Sequence, residues 1–201
     1  MFNSITEIAQ VIETSTKRPY LIGIDGRSGA GKSILSERLN ERLPNVVVVH
    51  VDDFYQVMLA VARESLDAEQ GYYQYFDWNR LRQQVLIPLS IRKMARYQRY
   101  DWVKESLAEN LEVKPQGIII VEGVYSIRPE LRKYYDLCIW IETSERERLR
   151  RQIARGENTI EWIQRWAAAE IFYVENFCPQ RFAHMIIAGE CSPSAQRGHK
   201  N

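Results

Sequence analysis

Apolar residues along the chain follow two rhythms, short unbroken runs and helical spacings, and their order predicts an α/β fold. Ile5, Ile8, Ala9 and Ile12 share one face of a helix over 3–16, with Asn3 or Ser4 as its N-cap. After Pro19, the run Tyr20-Leu21-Ile22-Gly23-Ile24-Asp25 reads as a strand entering a glycine cluster. Leu35, Leu39 and Leu43 then return at helical spacing until Pro44 stops the pattern. Residues 46–51, valines with one histidine, read as a strand buried on both faces.

The stretch from 54 to 114 is less regular and rich in aromatic residues. A helix over 79–91, interrupted by Pro88, and an antiparallel pair at 96–102 and 111–114 are expected there. Residues 117–121 form another doubly buried strand, ending at Glu122-Gly123, and 137–141 form the next. Thr143 or Ser144 caps an arginine-rich helix, and Asn158 or Thr159 opens a further helix reaching Asn176. Residues 185–187 close the sheet, and 191–201 read as a frayed tail. Apolar strands separated by helices predict a parallel sheet in a single domain over 1–201, its core at 20–188.

Composition narrows the class. A chain of 201 residues, 45% hydrophobic, suffices for one substantial core. The net charge of +1 supplies no field for nucleic acid or an anionic membrane. Cys138, Cys178 and Cys191 are odd in number and irregularly spaced, which suits a reducing cytosol better than a disulfide scaffold or a zinc site. No basic leader precedes an apolar run, and no stretch has the roughly 20 apolar residues of a membrane span. The expectation is a cytoplasmic protein, and a homo-oligomer is compatible with it.

The candidate chemistry begins at Gly26-Arg27-Ser28-Gly29-Ala30-Gly31-Lys32-Ser33, a full G-x-x-x-x-G-K-[ST] match between a strand and a helix. Glycines let main-chain N–H groups approach phosphate oxygens, and the following helix presents its positive end. Lys32 is the point charge for the β and γ phosphates, and the Ser33 hydroxyl is placed to hold Mg²⁺. Ligands of open α/β sheets gather at the carboxyl ends of strands. Two other strands end there in acids, Asp52-Asp53 and Glu122. One acid can orient Mg²⁺, directly or through water, and another can accept the proton of an attacking hydroxyl. The bland alternative is that these acids only cap turns.

Arg146, Arg148, Arg150, Arg151 and Arg155 crowd one segment, beside Glu145 and Glu147 that can pair with them along a helix. Phosphoryl transfer needs cations over the γ-phosphate, and a closing lid over 146–160 can supply them. Arg151 and Arg155 are the candidates, and the other arginines are read as surface. Tyr72, Tyr73, Tyr75, Phe76 and Trp78 pack a subdomain or line a pocket; Trp102, Trp162 and Trp166 are read as packing. His50 and His184 lack ligand-spaced partners and are read as structural. No N-K-x-D or D-x-x-G guanine-switch signature is present.

Together these residues resemble the uridine kinase and phosphoribulokinase family of P-loop kinases. The likeness spans about 21–187 and rests on Gly26 to Ser33, Asp52-Asp53-Phe54-Tyr55, Phe76-Asp77, Tyr100-Asp101-Trp102, Val121-Glu122-Gly123 and Arg148-Leu149-Arg150-Arg151. The resemblance implies a three-layer sandwich, with a five-stranded parallel sheet between helices, a β-hairpin and a mobile lid. It implies ATP and Mg²⁺, with Asp52 as catalytic base and Ser33, Asp52 and Glu122 around the metal. It places Asp53, Tyr55, Asp77 and Tyr100 with a small hydroxyl-bearing acceptor, nucleoside-like or sugar-like. The family's base-reading histidine falls at Glu105, so an acceptor other than uridine is open, pantothenate or a nucleotide monophosphate among them. A non-catalytic nucleotide-binding regulator is the alternative from another class.

Overall fold

The computed structural model describes residues 5–189, so the N-cap expected at Asn3 or Ser4 and the tail at 191–201 lie outside the described residues. Five parallel strands form the main sheet: β1 (Tyr20–Asp25), β2 (Val46–His50), β5 (Ile118–Glu122), β6 (Leu137–Glu142) and β7 (Met185–Ala188). Their spatial order is β2-β5-β1-β6-β7, with β3 (Ala95–Asp101) and β4 (Ser106–Val113) paired separately as an antiparallel hairpin. The helices are α1 (Ile5–Thr14), α2 (Lys32–Arg42), α3 (Ala60–Glu64), α4 (Ala68–Gln74), α5 (Trp78–Leu81), α6 (Ile87–Ser90), α7 (Glu145–Arg155) and α8 (Ile160–Phe177).

Strand alternation divides the core in two. Ile22, Ile24, Ile118, Ile120 and Ile139 face α1 and α2, meeting Ile8, Ile12, Leu35 and Leu39. Leu21, Val49, Ile119, Val121 and Trp140 face the other way, towards Tyr72 of α4 and Ala169 and Tyr173 of α8. Each fully buried aliphatic side chain contributes about 1.5–3 kcal/mol, so the period-two register fixes which helices lie on which face. The three-layer α/β sandwich is the expected one.

Three details differ from the sequence reading. Strand β2 ends at His50 and occupies an edge, so its outer residues stay open and Val47 is 40% exposed. A run of valines does not distinguish a central strand from an edge strand, because both favour β-branched residues. The helix expected over 79–91 runs through Pro88 after all, as α5, a π-turn at Arg82–Leu86, and α6. The Ile87 N–H reaches back to the Arg82 carbonyl, five residues away. Widening the helix ahead of a proline relieves the clash its ring would make with the preceding turn. In the hairpin, the second strand starts at Ser106, five residues before the expected 111.

Candidate active site

Strand β1 delivers the glycine loop to the carboxyl edge of the sheet, between β5 and β6. Two glycines there are obligatory. Gly29 has φ 77, and a Cβ on it would lie 2.6 Å from the Arg148 carbonyl oxygen of α7. Gly31 has φ 108 and opens α2 as its N-cap. Side chains at these positions would push α7 off the loop or strain the turn. Lys32 folds back over the loop, donating from Nζ to the carbonyls of Gly26 at 2.9 Å and Arg27 at 3.3 Å.

The acids at the strand ends do converge on this loop. The Ser33 hydroxyl lies 3.4 Å from both carboxylate oxygens of Glu122, itself buried at the end of β5. Glu122 Oε1 is 2.6 Å from His50 Nδ1, and that bond raises the imidazole above its ordinary range against the opposing effect of burial. His50 is therefore part of the site, where the sequence reading gave it only a structural role. A pairing between adjacent parallel strands has no signature in local spacing. Asp52 sits in the short 3₁₀ turn after β2. Its surface is exposed to the cleft, yet dense cleft walls surround it. That crowding, and then the Glu122 charge, push it up to about 6, while Lys32 and His50 act against them.

A cavity of about 710 Å³ extends from the loop. One end is lined by Gly29, Gly31, Lys32, Ser33, Asp52 and Glu122. Tyr55, Phe76, Tyr100, Trp102 and Trp166 also line it, with Tyr55 at their centre: its ring centroid is 4.5 Å from that of Trp102, 5.2 Å from Tyr100 and 5.7 Å from Trp166. The Arg63 guanidinium covers the same Tyr55 ring at 4.5 Å. Trp102, Trp162 and Trp166, read from sequence as packing, all border the cavity. Glu105 borders it too, held at φ 50 in the hairpin turn.

Other expected residues fall elsewhere. Asp53 and Asp77 do not line the cavity. Asp53 accepts from the Tyr97 hydroxyl at 3.1 Å, and Asp77 caps α5 by accepting from the Arg80 N–H at 2.9 Å. The acceptor contacts expected of them have no support in this geometry: the Asp53 carboxylate is engaged by Tyr97, and the Asp77 carboxylate by the helix it caps. The two lid candidates separate. Arg155 borders the cavity, whereas Arg151 donates to the carbonyls of Gly29 at 3.1 Å and Ala30 at 3.3 Å and lines a small apolar pocket outside it. Arg148, read as a surface residue, is buried against the loop and donates to the Thr143 carbonyl at 3.2 Å. Ser144 and Thr159 cap α7 and α8.

Asp25 escaped the sequence reading, although it is a strand-end acid like the others. It is fully buried and accepts from the N–H groups of Gly26, Tyr125 and Ile127 at 2.7, 3.0 and 3.0 Å, and from the Tyr173 hydroxyl at 2.9 Å. Burial pushes it up to about 6 against those donors.

A parallel sheet ordered about a central β1, a phosphate loop leaving that strand, and a carboxylate facing the loop serine define a P-loop kinase. The chain belongs to the Phosphoribulokinase / Uridine kinase family, whose pattern matches residues 21–189. The uridine kinase of Borrelia turicatae (strain 91E135) is 30% identical over 149 residues, covering 71% of this chain and 72% of that one. The uridine kinase of Alkaliphilus metalliredigens (strain QYMF) is 28% identical over 184 residues, 85% of this chain and 87% of its own. Among solved structures, a possible uridine kinase from Bacillus stearothermophilus aligns with a TM-score of 0.72 at 22% identity, covering 91% of this chain and 96% of that one. The D-glycerate 3-kinase of Cryptococcus neoformans var. grubii aligns at 0.58 and 18% identity, over 87% and 86%. These two structural likenesses establish the fold. Among the described residues, no helix is long and apolar enough to cross a membrane.

Proposed function

We propose that this phosphotransferase moves the γ-phosphoryl group of ATP onto the hydroxyl of a small nucleoside-like or sugar-like acceptor. The observation that carries the reading is the meeting of Ser33, Glu122 and Asp52 beside Lys32, at one end of a cavity lined elsewhere by aromatic rings. Loop N–H groups and Lys32 hold the phosphates, and Arg155 brings a cation from the end of α7. Asp52 takes the proton of the acceptor hydroxyl at a carboxylate oxygen, and Tyr55 and Tyr100 give the acceptor a flat apolar surface.

The donor set suits Mg²⁺. Ser33, Asp52 and Glu122 offer hard oxygens only, and among the described residues no cluster of three His, Cys, Asp or Glu side chains forms an all-protein cage. Magnesium commonly keeps waters and substrate phosphates as its remaining ligands. When bound, it supplies charge that offsets the repulsion between phosphates and strand-end acids.

Glu105 favours a second acceptor reading. A carboxylate in the cavity accepts hydrogen bonds, where a neutral imidazole both accepts and donates, so a group rich in N–H or O–H donors fits there. A coupled ADP-release screen with MgATP across nucleosides, sugars, sugar phosphates and pantothenate tests both readings. ADP release dependent on one acceptor supports the kinase and names its substrate. Tight nucleotide binding with no acceptor-dependent ADP release would instead indicate a regulatory protein.

A further inference from the structure

Helix α8 carries a buried carboxylate that the transfer chemistry does not use. Glu170 is 1% exposed, and both its oxygens engage the phosphate loop. Oε1 accepts from the Ser28 N–H at 3.0 Å and from the Ser28 hydroxyl. Oε2 accepts from Arg27 Nε at 3.3 Å and lies 3.9 Å from a terminal nitrogen of Arg148. Three residues further along the helix, the Tyr173 hydroxyl holds Asp25, which in turn holds the Gly26 N–H. The start and the middle of the loop are thus tied to one helix. The same helix borders the cavity through Trp162, Ile163 and Trp166.

These bonds sort the donors of the loop. The Ser28 N–H is taken by Glu170 and the Ala30 N–H by the Arg27 carbonyl at 3.0 Å. Among the described residues, the N–H groups of Gly29, Gly31, Lys32 and Ser33 have no protein acceptor, and they remain for phosphate. Arg27, a loop residue expected to meet the nucleotide, is turned instead to Glu170 and to the Ala167 carbonyl at 3.3 Å.

We propose that Glu170 is a positioning residue that holds the loop in its phosphate-receiving shape through Ser28 and Arg27, without touching the nucleotide. The proposal rests on the reading of the cleft as an ATP site. Two opposed effects make it testable. Coulomb repulsion alone predicts that removing this carboxylate, and freeing Arg27 and Arg148, tightens ATP binding. A positioning role predicts the reverse.

The experiment measures affinity of the full-length chain for a fluorescent ATP analogue with Mg²⁺, alongside thermal unfolding. Glu170→Ala is expected to weaken binding by about tenfold or more, the scale on which misplaced site geometry acts, with acceptor KM unchanged. Glu170→Gln keeps an oxygen for Ser28 and is expected to return affinity to within about threefold of wild type. Ser28→Ala is expected to weaken binding severalfold alone and to add nothing on top of Glu170→Ala, as neighbours in one contact do. Equal or tighter binding by a folded Glu170→Ala chain overturns the proposal. If that variant does not fold, wild-type affinity in Ser28→Ala, or a Glu170→Gln loss of about tenfold, overturns it equally. A wild-type chain that binds no MgATP brings down the underlying functional reading, a distinct result.

Discussion

At the phosphate end of the cleft, one eight-residue loop presents the main-chain N–H groups of Gly29, Gly31, Lys32 and Ser33, and the neighbouring helices grip that loop by hydrogen bonds. The acceptor end is a wall of side chains: Tyr55 after a 3₁₀ turn, Arg63 on α3, Tyr100 and Trp102 on the hairpin, Trp162 and Trp166 on α8. Main-chain recognition of a triphosphate needs one loop shape and tolerates little change. Side-chain recognition of an acceptor uses residues that can be exchanged singly. Under the proposed function, the first end defines the reaction and the second selects what is phosphorylated.

The sharpest way to break this division lies where the ends meet. Asp52→Asn is expected to lower turnover at least about a hundredfold, the scale of general base catalysis, while MgATP affinity holds within a few fold. Turnover close to wild type in steady-state ADP release would take the proton-accepting role from Asp52. The same carboxylate sets the expected pH profile. Its proton is held up to about 6, above the usual range for aspartate, so the base is lost as pH falls through that value. The kcat/KM should drop about tenfold per unit below pH 6 and level off above it. Since His50 also titrates from a raised position, a His50→Gln chain that keeps the acid limb would assign it to Asp52, and loss of the limb would assign it to the imidazole.

Smaller effects sharpen the comparison at the acceptor end. Trp102, 56% exposed on the hairpin, should cost little stability when cut to Ala. That change is expected to raise acceptor KM about tenfold and leave MgATP affinity alone, as loss of an aromatic contact would. An equal loss for both substrates would show that the two ends are not separate. Asp77→Ala should remove a helix cap worth about 1 kcal/mol, read as a lower unfolding midpoint, with acceptor KM nearly unchanged. An acceptor KM raised by about tenfold or more would return Asp77 to substrate binding in a closed state.

The same division explains what could be read from the chain. The phosphate loop was legible because its chemistry and its covalent sequence coincide, and Asp52 and Glu122 followed from their places at strand ends. Applied evenly, that reasoning would also have found Asp25. Glu170 had a weaker signal, since Trp166, Glu170 and Tyr173 share one helical face, but nothing in that spacing tells a loop anchor from a core contact. The aromatic wall was legible in part: the family resemblance placed Tyr55 and Tyr100 with the acceptor, whereas Trp102 and Trp166, read as packing, join them only through tertiary contacts. Even the arginine helix misled: proximity in sequence grouped Arg151 with Arg155, while a helical turn carried one behind the loop and the other into the cleft.

The hairpin turn carries a last consequence. A glutamate in left-handed backbone conformation costs about 1 kcal/mol that glycine would not, partly offset by the looser unfolded chain glycine gives. If Glu105 reads the acceptor as proposed, position 105 ties foldability to acceptor choice, and drift towards glycine would trade discrimination for robustness. Lineages that have changed substrate should be recognisable by what occupies this one corner.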